Sequence, residues 1–366
     1  MNSQHILAYL SAKAKKIVIT ISCLIALTIF IIAFTRPQVV NPKVKTSAVV
    51  SDADDCAIWI HPTDAAKSIV IGTDKGKGGG FYVWNLDGEQ MQFIPLRETN
   101  NVDVRQGMMV GGEAIDIAVV NLQRTKELKV YKIVPSNSQL IDVTTHEGIK
   151  TPELDLPYGL CLYRRPRDGA IFAIASSKIG DSGNLQQYLL QDDGQGKVKG
   201  VHVRTFGNNS IADKVEGLAA DDELGYVYAS DETKAVRKYY ADPDLNQNEQ
   251  IVAFATRDGF KGDREGIGIY KCDDNTGYLL ISSQDNKSVK IYRREGEKAN
   301  PQQHDLLATV LTNGSKDTDG LEVTNQPAGP KFPKGFLAKH NSKGLNFVLY
   351  AWEDIAGDDL RICTGR

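Results

Sequence analysis

Acidic side chains recur in this sequence directly before glycine, as in Glu216-Gly217, Glu265-Gly266 and Asp319-Gly320. Carboxylates that converge on one point repel one another unless cations neutralise them. Oxygen ligands without histidine or thiolate select Ca²⁺ or Mg²⁺, and the absence of an EF-hand loop means that distant segments must supply the ligands. The acids at this recurring place, with two from a neighbouring turn, are Asp54, Asp55, Asp103, Glu216, Asp231, Glu232, Asp263, Glu265, Asp317 and Asp319.

A purely structural interpretation stays open for each single acid, because strand-end carboxylates also cap backbone amides. For the whole set, repeated in register beside glycine, we favour a cation site. The number of acids favours Ca²⁺ over Mg²⁺.

Basic residues occupy equivalent places in three consecutive repeats. Lys75 and Lys77 lie in the glycine-rich stretch 74–80, and Arg124 and Lys178 each follow a later strand. Lysine and arginine bind phosphate oxygens through charge-assisted hydrogen bonds. A site with metal-binding acids on one side and these bases on the other therefore suits a phosphorylated substrate. The glycine-rich stretch is not a P-loop, since no Lys-Ser/Thr pair follows it.

Other catalytic patterns find no support. His61 ends a predicted strand and precedes Pro62, which favours a structural histidine, and neither R-H-G-x-R-x-P nor a C-x5-R motif occurs. The cysteines show no C-x-x-C pair, so their pattern does not favour a zinc site. A Cys56–Cys363 disulfide is one arrangement that closure of a ring-shaped fold would allow.

Strand-turn-strand units position these side chains. Residues 215–240 read as three short strands with acid-and-glycine turns, and similar units start near residues 55, 103, 158, 265 and 319. A period of roughly fifty residues without helical segments predicts a β-propeller with one sheet per blade. We therefore expect an all-β, six-bladed propeller of mostly four-stranded antiparallel blades. The first strands would line the central channel, so that the recurring acids and Tyr158 meet at one mouth.

The N-terminal segment differs from the rest. Lysines precede the apolar run 17–34, which is typical of an export signal and just long enough to span a membrane as a helix. We expect a signal peptide or membrane anchor in residues 1–36, a linker in residues 37–48 and the propeller in residues 49–366. The propeller would be periplasmic or extracellular, monomeric, and in contact with a membrane only through that segment. A net charge of −3 gives no indication of nucleic-acid binding.

The chain resembles the β-propeller phytases, also called alkaline or Bacillus-type phytases. The resemblance runs in order from about residue 50 to the C-terminus and includes Asp54-Asp55-Cys56-Ala57-Ile58-Trp59-Ile60-His61-Pro62, Asn100-Asn101-Val102-Asp103, Tyr158-Gly159, Glu216-Gly217-Leu218, Glu265-Gly266, Ser282-Ser283-Gln284 and Asp317-Thr318-Asp319-Gly320. It implies a six-bladed propeller that hydrolyses phosphomonoesters of phytate, myo-inositol hexakisphosphate, in the manner of a 3-phytase, with several Ca²⁺ ions and a metal-bound water that attacks phosphorus.

The resemblance also implies residue roles. Catalytic positions fall on Tyr158, Glu216, Asp263 and Glu265, and phosphate-binding bases on Lys75, Arg124 and Lys178. Metal positions fall on Asp54, Asp55, Val102, Glu216, Glu232, Asp263, Glu265, Asn313 and Asp319, of which Asp55 and Val102 match a structural calcium. Asn313 departs from a family aspartate, the place of Arg124 is uncertain by a residue or two, and a family lysine pair is split as Lys75-Gly76-Lys77.

Two other functions remain open. A calcium-dependent lactonase or esterase propeller would need the acids without the bases. A non-catalytic propeller that binds a glycan or a protein would use calcium for stability alone.

Overall fold

The computed structural model describes residues 37–179, 185–207 and 209–363. In these residues 26 strands form six antiparallel sheets, which confirms the all-β, six-bladed propeller with mostly four-stranded blades. One short α-helix, α1 (Trp352–Ala356), follows the last strand, and 3₁₀ turns occupy Ala65–Lys67, Pro243–Leu245, Gln284–Asn286 and Ser342–Gly344.

The first three blades follow one another along the chain. Blade 1 consists of β3 (Ala53–Trp59), β4 (Ile69–Asp74), β5 (Gly80–Asn85) and β6 (Gln90–Pro95). Blade 2 consists of β7 (Thr99–Val110), β8 (Glu113–Leu122), β9 (Glu127–Val134) and β10 (Gln139–Asp142), with β11 (Ile149–Lys150) also on β9. Blade 3 consists of β12 (Asp155–Arg164), β13 (Ile171–Ile179), β14 (Leu185–Asp192) and β15 (Val198–Phe206).

The last three blades repeat the pattern, and the last two take up early strands. Blade 4 consists of β16 (Val215–Asp221), β17 (Tyr226–Asp231), β18 (Ala235–Tyr240) and β19 (Val252–Phe254). Blade 5 consists of β20 (Ile267–Lys271), β21 (Gly277–Ser283), β22 (Ser288–Arg293), β23 (Leu306–Thr312) and β1 (Gln38–Val40). Blade 6 consists of β24 (Leu321–Thr324), β25 (Phe336–Asn341), β26 (Asn346–Ala351) and β2 (Val44–Lys45).

The ring therefore closes through residues 38–45, which the sequence analysis assigned to a linker. The C-terminal end is held differently. Cys272, just after β20, forms a disulfide with Cys363, while Cys56 is buried and free. The sequence-based pairing of Cys56 with Cys363 is wrong because the segment after α1 lies against blade 5, where the Tyr270 hydroxyl meets the backbone of Cys363 at 2.9 Å.

The core consists of apolar layers between neighbouring blades. One layer joins Val119 of blade 2 to Leu160 of blade 3, and another joins Leu280 of blade 5 to Leu337 of blade 6. A fully buried aliphatic side chain contributes roughly 1.5–3 kcal/mol. Such layers fix the angular position of each blade and therefore of each first strand.

The first strands of the blades pack tightly around the channel. A Cβ atom at Gly217 would lie 1.7 Å from the carbonyl oxygen of Glu265, and one at Gly266 would lie 2.5 Å from the backbone nitrogen of Leu321. Glycine directly after each acid thus lets adjacent first strands approach. A cavity of about 870 Å³ follows the channel, with Glu216 and Glu265 among the residues that line it.

The predicted signal peptide or anchor, residues 1–36, lies outside the described residues. Within the described ranges, no helix has the length and apolar character needed to cross a membrane.

Candidate metal and phosphate site

Five acids from four blades meet at the mouth where the first strands begin. They lie at the starts of β3 and β16, after β17, and just before β20 and β24. We call them the acidic cluster: Asp54, Glu216, Glu232, Glu265 and Asp319. Their separation in sequence shows that ring closure of the propeller brings them together. Other acids of the recurring pattern do not join them, because Asp103 pairs with Arg105 and Asp231 pairs with Arg237.

Three members of the cluster could share one ion. Carboxylate oxygens of Glu216, Glu232 and Glu265 lie within 4.8 Å of one another. Glu216 is held from two sides, because Tyr158 Oη donates to its Oε2 (2.8 Å) and Asn100 Nδ2 donates to its Oε1 (2.9 Å). Both contacts fix the direction of this carboxylate toward its neighbours.

Asp54 and Asp319 form the other end of the cluster around Lys75. The Lys75 ammonium pairs with Asp54 and lies 3.7 Å from Asp319 Oδ2. Gln284 Nε2 donates to Glu265 (3.1 Å) and to Asp319 (3.3 Å), so it links both ends. The backbone N–H of Asp319 donates to Nδ1 of buried His340 (2.9 Å), which fixes the main chain at this acid.

The electrostatics show that the cluster carries more acid than its lysines neutralise. Burial raises the pKa of Glu232 and of Asp319 to about 7, and Glu216 adds to both effects. Burial and the charge of Glu216 also raise the pKa of Glu265 and of Asp54 far above the ordinary range. Burial acts the same way on Glu216, but Lys75 and hydrogen bonds from Glu265 and Tyr158 outweigh it and lower its pKa.

Buried oxygen atoms without hydrogen bonds mark the place for a cation. In the described part of the chain, Asp54 Oδ2, Glu265 Oε2 and both carboxylate oxygens of Glu232 have no well-aligned donor. A buried carboxylate oxygen without a hydrogen-bond donor destabilises the folded protein unless a cation binds it instead. The donor set is all oxygen and highly charged, so the residues present fit a hard divalent cation.

Two of the predicted bases, Lys178 and Lys75, lie at this cluster, and the other two, Lys77 and Arg124, are exposed. The Lys178 ammonium lies 4.6 Å from the centre of the ring of Tyr158, the residue whose hydroxyl donates to Glu216. Lys75 lies inside the cluster, as described. Lys77 is exposed in its turn, and Arg124 is 67% exposed and lies 3.5 Å from Glu98. Gln123, one residue earlier, points inward instead and donates to Asn100 Oδ1 (2.6 Å).

Of the remaining predicted metal positions, Asp263 borders the acidic cluster and the others lie apart from it. Asp263 is half-buried, and its charge acts on Glu232. Asp55 and Val102 lie side by side in the channel wall, joined by a hydrogen bond from the Val102 N–H to Asp55 Oδ2 (3.1 Å). Asn313 is exposed and donates its amide to Asn41 Oδ1 (3.0 Å), outside the cluster.

Sequence reasoning also missed several residues at this mouth. Asn100, Gln123 and Gln284 are amides that orient the acids, and Lys214 lies 2.6 Å from Glu232. The position of Lys214 two residues before Glu216 was the available signal, because an alternating strand start places both side chains on one side. His61 has the structural role that was predicted, since Pro135 O and two backbone amides satisfy its ring nitrogens.

Comparisons with known proteins show which family the chain resembles over most of its length. The family profile described as Phytase matches residues 7–360. The 3-phytase of Bacillus subtilis (strain 168) is 34% identical over 314 residues, which cover 83% of this chain and 80% of that protein. Every member of the acidic cluster lies within the span that the profile matches.

Two solved structures show weaker likeness. A structure of a nidogen/laminin complex gives a TM-score of 0.47 at 13% identity over 74% of this chain and 84% of that chain. The β-propeller domain of Myceliophteria thermophila Cps50 (Swd1) gives a TM-score of 0.45 at 10% identity over 82% and 83%.

Proposed function

The chain belongs to the phytase family, and from that membership we propose that the acidic cluster hydrolyses phosphomonoesters of phytate with Ca²⁺. The observation that carries the proposal is the set of buried, unpaired carboxylate oxygens beside lysine ammonium groups. Acids alone would suit any metal-stabilised propeller. Acids together with bases suit a substrate that brings its own negative charge.

The residues that would hold Ca²⁺ are those with buried oxygens that accept no hydrogen bond in the described residues, Asp54, Glu232 and Glu265, supported by Glu216 and Asp319. When bound, such ions supply positive charge that stabilises a phosphoryl group in transfer and lowers the pKa of water. Predicted further ligands for metal are Asp55, Val102 and Asn313, at separate places in the fold.

The protein's own groups have three tasks. Tyr158 and Asn100 occupy both oxygens of Glu216, which leaves this acid as a fixed ligand. Asp263, half-buried beside Glu232, is the acid left to orient the attacking water and accept its proton. Lys178 and Lys75 neutralise phosphate oxygens, with charge-assisted hydrogen bonds as the strongest available contacts.

The charge distribution favours substrates with neighbouring phosphates. Lys178 stands on the Tyr158 side of the cluster and Lys75 on the Asp54 side. Two phosphates on adjacent carbons of inositol could occupy these two places at once, and a monophosphate could not. We expect Lys77 and Arg124, which are exposed, to contribute through their charge alone.

We also propose that the protein is exported. Lysines and an apolar run precede the propeller in the sequence, and a disulfide is typical of an oxidising compartment. We expect a periplasmic or extracellular monomer, either released by cleavage or anchored through residues 17–34. Immunoblotting of membrane and soluble fractions, with a variant that lacks residues 1–36, tests this expectation.

Phosphate release from sodium phytate tests the function. The metal-free protein should release none in EDTA, and excess Ca²⁺ should restore the activity. Full activity in EDTA would refute the metal requirement. Lys178→Ala should lower kcat/KM for phytate, with Lys234→Ala as the control because Lys234 is an exposed lysine on the same face. Turnover of a lactone that is unaffected by Lys178→Ala would instead support the lactonase alternative.

A further inference from the structure

Lys214 has no role in the mechanism above, yet it contacts the acidic cluster. Its Nζ lies 2.6 Å from Glu232 Oε2, and its side chain is 37% exposed while that of Glu232 is fully buried. Its ammonium also lies 5.7 Å from the centre of the Tyr158 ring, the same ring that Lys178 approaches at 4.6 Å. Lys214 is thus within reach of a metal ligand and of the predicted phosphate site.

The ion pair between Lys214 and Glu232 is short, at 2.6 Å, but its geometry is not that of an aligned hydrogen bond. Neither oxygen of Glu232 has a well-aligned hydrogen bond in the described residues, so the lysine contributes charge rather than a directed bond. A lysine carries its charge on a flexible four-carbon chain and can move to another anion at little cost. Lys214 and Lys75 stand at opposite ends of the cluster, so each end has one internal cation.

A divalent cation and the Lys214 ammonium must compete for Glu232. Both neutralise the same buried carboxylate, and an ion held by Glu216, Glu232 and Glu265 would repel the lysine. The displaced ammonium is then on the exposed side of Glu232, beside Tyr158 and Lys178, where substrate phosphate is expected. We propose that Lys214 pairs with Glu232 in the metal-free protein and becomes a phosphate-binding residue once the metal has bound.

Only the phosphate-binding role of Lys214 rests on the proposed function; its competition with the metal does not. Together they predict two effects of opposite sign for Lys214→Met. Divalent metal should bind more tightly, by about tenfold, because an internal competitor is gone. Inorganic phosphate should bind more weakly to the calcium-loaded protein, by about tenfold, because a charged ligand is lost. A merely structural lysine would weaken both or change neither.

Titration calorimetry with Ca²⁺ alone, and then with inorganic phosphate on the calcium-loaded protein, measures both effects without any turnover. Lys214→Arg keeps the charge and should remain near wild type in both titrations. Lys234→Met, an exposed lysine in the turn after β17, is the matched control and should change neither. If Lys214→Met does not fold, Lys214→Gln keeps a polar side chain and is measured in its place.

Each result decides one half of the inference. Unchanged or weaker Ca²⁺ binding in Lys214→Met would overturn the competition. Tighter Ca²⁺ binding with unchanged phosphate binding would overturn the phosphate role. In steady-state assays the KM for phytate should rise about tenfold with a smaller change in kcat. If the wild-type protein releases no phosphate from phytate, the proposed function fails, while the two titrations still decide the role of Lys214.

Discussion

The two mouths of the channel differ in how far their buried charges are paired within the protein. At the mouth opposite the acidic cluster, the guanidinium of fully buried Arg294 pairs with Asp221 (2.6 Å) and with Glu223 (2.6 Å). Arg105 pairs there with Asp103 (3.0 Å) and Asp222 (3.1 Å). At the acidic cluster, by contrast, buried oxygens of Asp54, Glu232 and Glu265 lack hydrogen bonds in the described part of the chain.

The difference separates structural charges from functional ones. A buried charge costs several kcal/mol unless hydrogen bonds and an opposite charge offset it. At the far mouth Arg294 offsets this cost for Asp221 within the folded chain, and the Cys272–Cys363 disulfide lies just after β20 on the same side. At the acidic cluster the cost of burying the carboxylates remains, and we expect a bound cation to offset it.

The largest effect expected from this contrast is on activity. Glu265→Gln removes a ligand charge at the cluster, and phosphate release should fall about a thousandfold. The matched control is Glu223→Gln, which removes one carboxylate at the far mouth and should stay within about twofold of wild type. Initial rates with phytate and saturating Ca²⁺ measure both. Equal losses in the two variants would show that the mouths do not differ in function.

The second largest effect expected is a loss of stability, and it follows from a substitution at the far mouth. Arg294→Met leaves Asp221 buried without its partner, and the free energy of unfolding should fall by about 3–5 kcal/mol. Ca²⁺ affinity of the folded fraction should not change, because Asp221, the partner of Arg294, lies at the opposite end of β16 from Glu216. Urea unfolding followed by calorimetry with Ca²⁺ checks both parts. A loss of metal affinity at unchanged stability would contradict the structural role.

The sequence predicted the fold and much of the site because both depend on local repeats. Turn chemistry and alternation gave six blades, and glycine after each acid follows from the 1.7 Å approach at Gly217. The sequence did not reveal Lys214 or Gln284, since their roles depend on which turns ring closure places together. It left the place of Arg124 open by a residue or two for a related reason: one residue along a turn decides whether a side chain points inward, and Gln123 does.

The disulfide was also beyond prediction. Pairing Cys363 with Cys56 or with Cys272 depends on which blade the C-terminal segment covers, and contacts of Tyr270 with Cys363 decide it. The spacing of 91 residues between Cys272 and Cys363 does not by itself favour this pair over the pairing of Cys363 with Cys56.

Removal of the Cys272–Cys363 disulfide should have the next smaller effect. Cys363→Ser should lower the free energy of unfolding by about 2–4 kcal/mol, because the unfolded chain gains freedom. The acidic cluster should keep its Ca²⁺ affinity, since the disulfide lies at the far mouth. Thermal unfolding with and without reductant measures the loss, and the reductant should have no further effect on the variant. Cys56→Ser is the control, because Cys56 is free, although buried.

The smallest effect expected is a difference in how pH acts on the two mouths. At the cluster, folding raises the pKa of Glu232 from 4.5 and that of Asp319 from 3.8, in each case to about 7. Between the ordinary values and about 7 the folded protein therefore binds more protons than the unfolded chain, and stability falls as pH rises. At the far mouth Arg294 outweighs burial and lowers the pKa of Asp221, so its contribution is lost only as pH falls below the ordinary range.

The melting temperature of the metal-free protein should therefore decrease by a few degrees, about 2–6 °C, between pH 5 and pH 8. Saturating Ca²⁺ should reduce that decrease, because a cation at the cluster favours the charged carboxylates. A part should remain, because burial also raises the pKa of Glu322, outside the cluster, to about 8. Glu232→Gln should reduce the slope in EDTA, whereas Glu223→Gln should leave it intact. Scanning calorimetry at four pH values, in EDTA and in Ca²⁺, measures these slopes. A melting temperature that rises with pH in EDTA would mean that the cluster acids are already neutralised within the chain, and the contrast between the two mouths would then be lost.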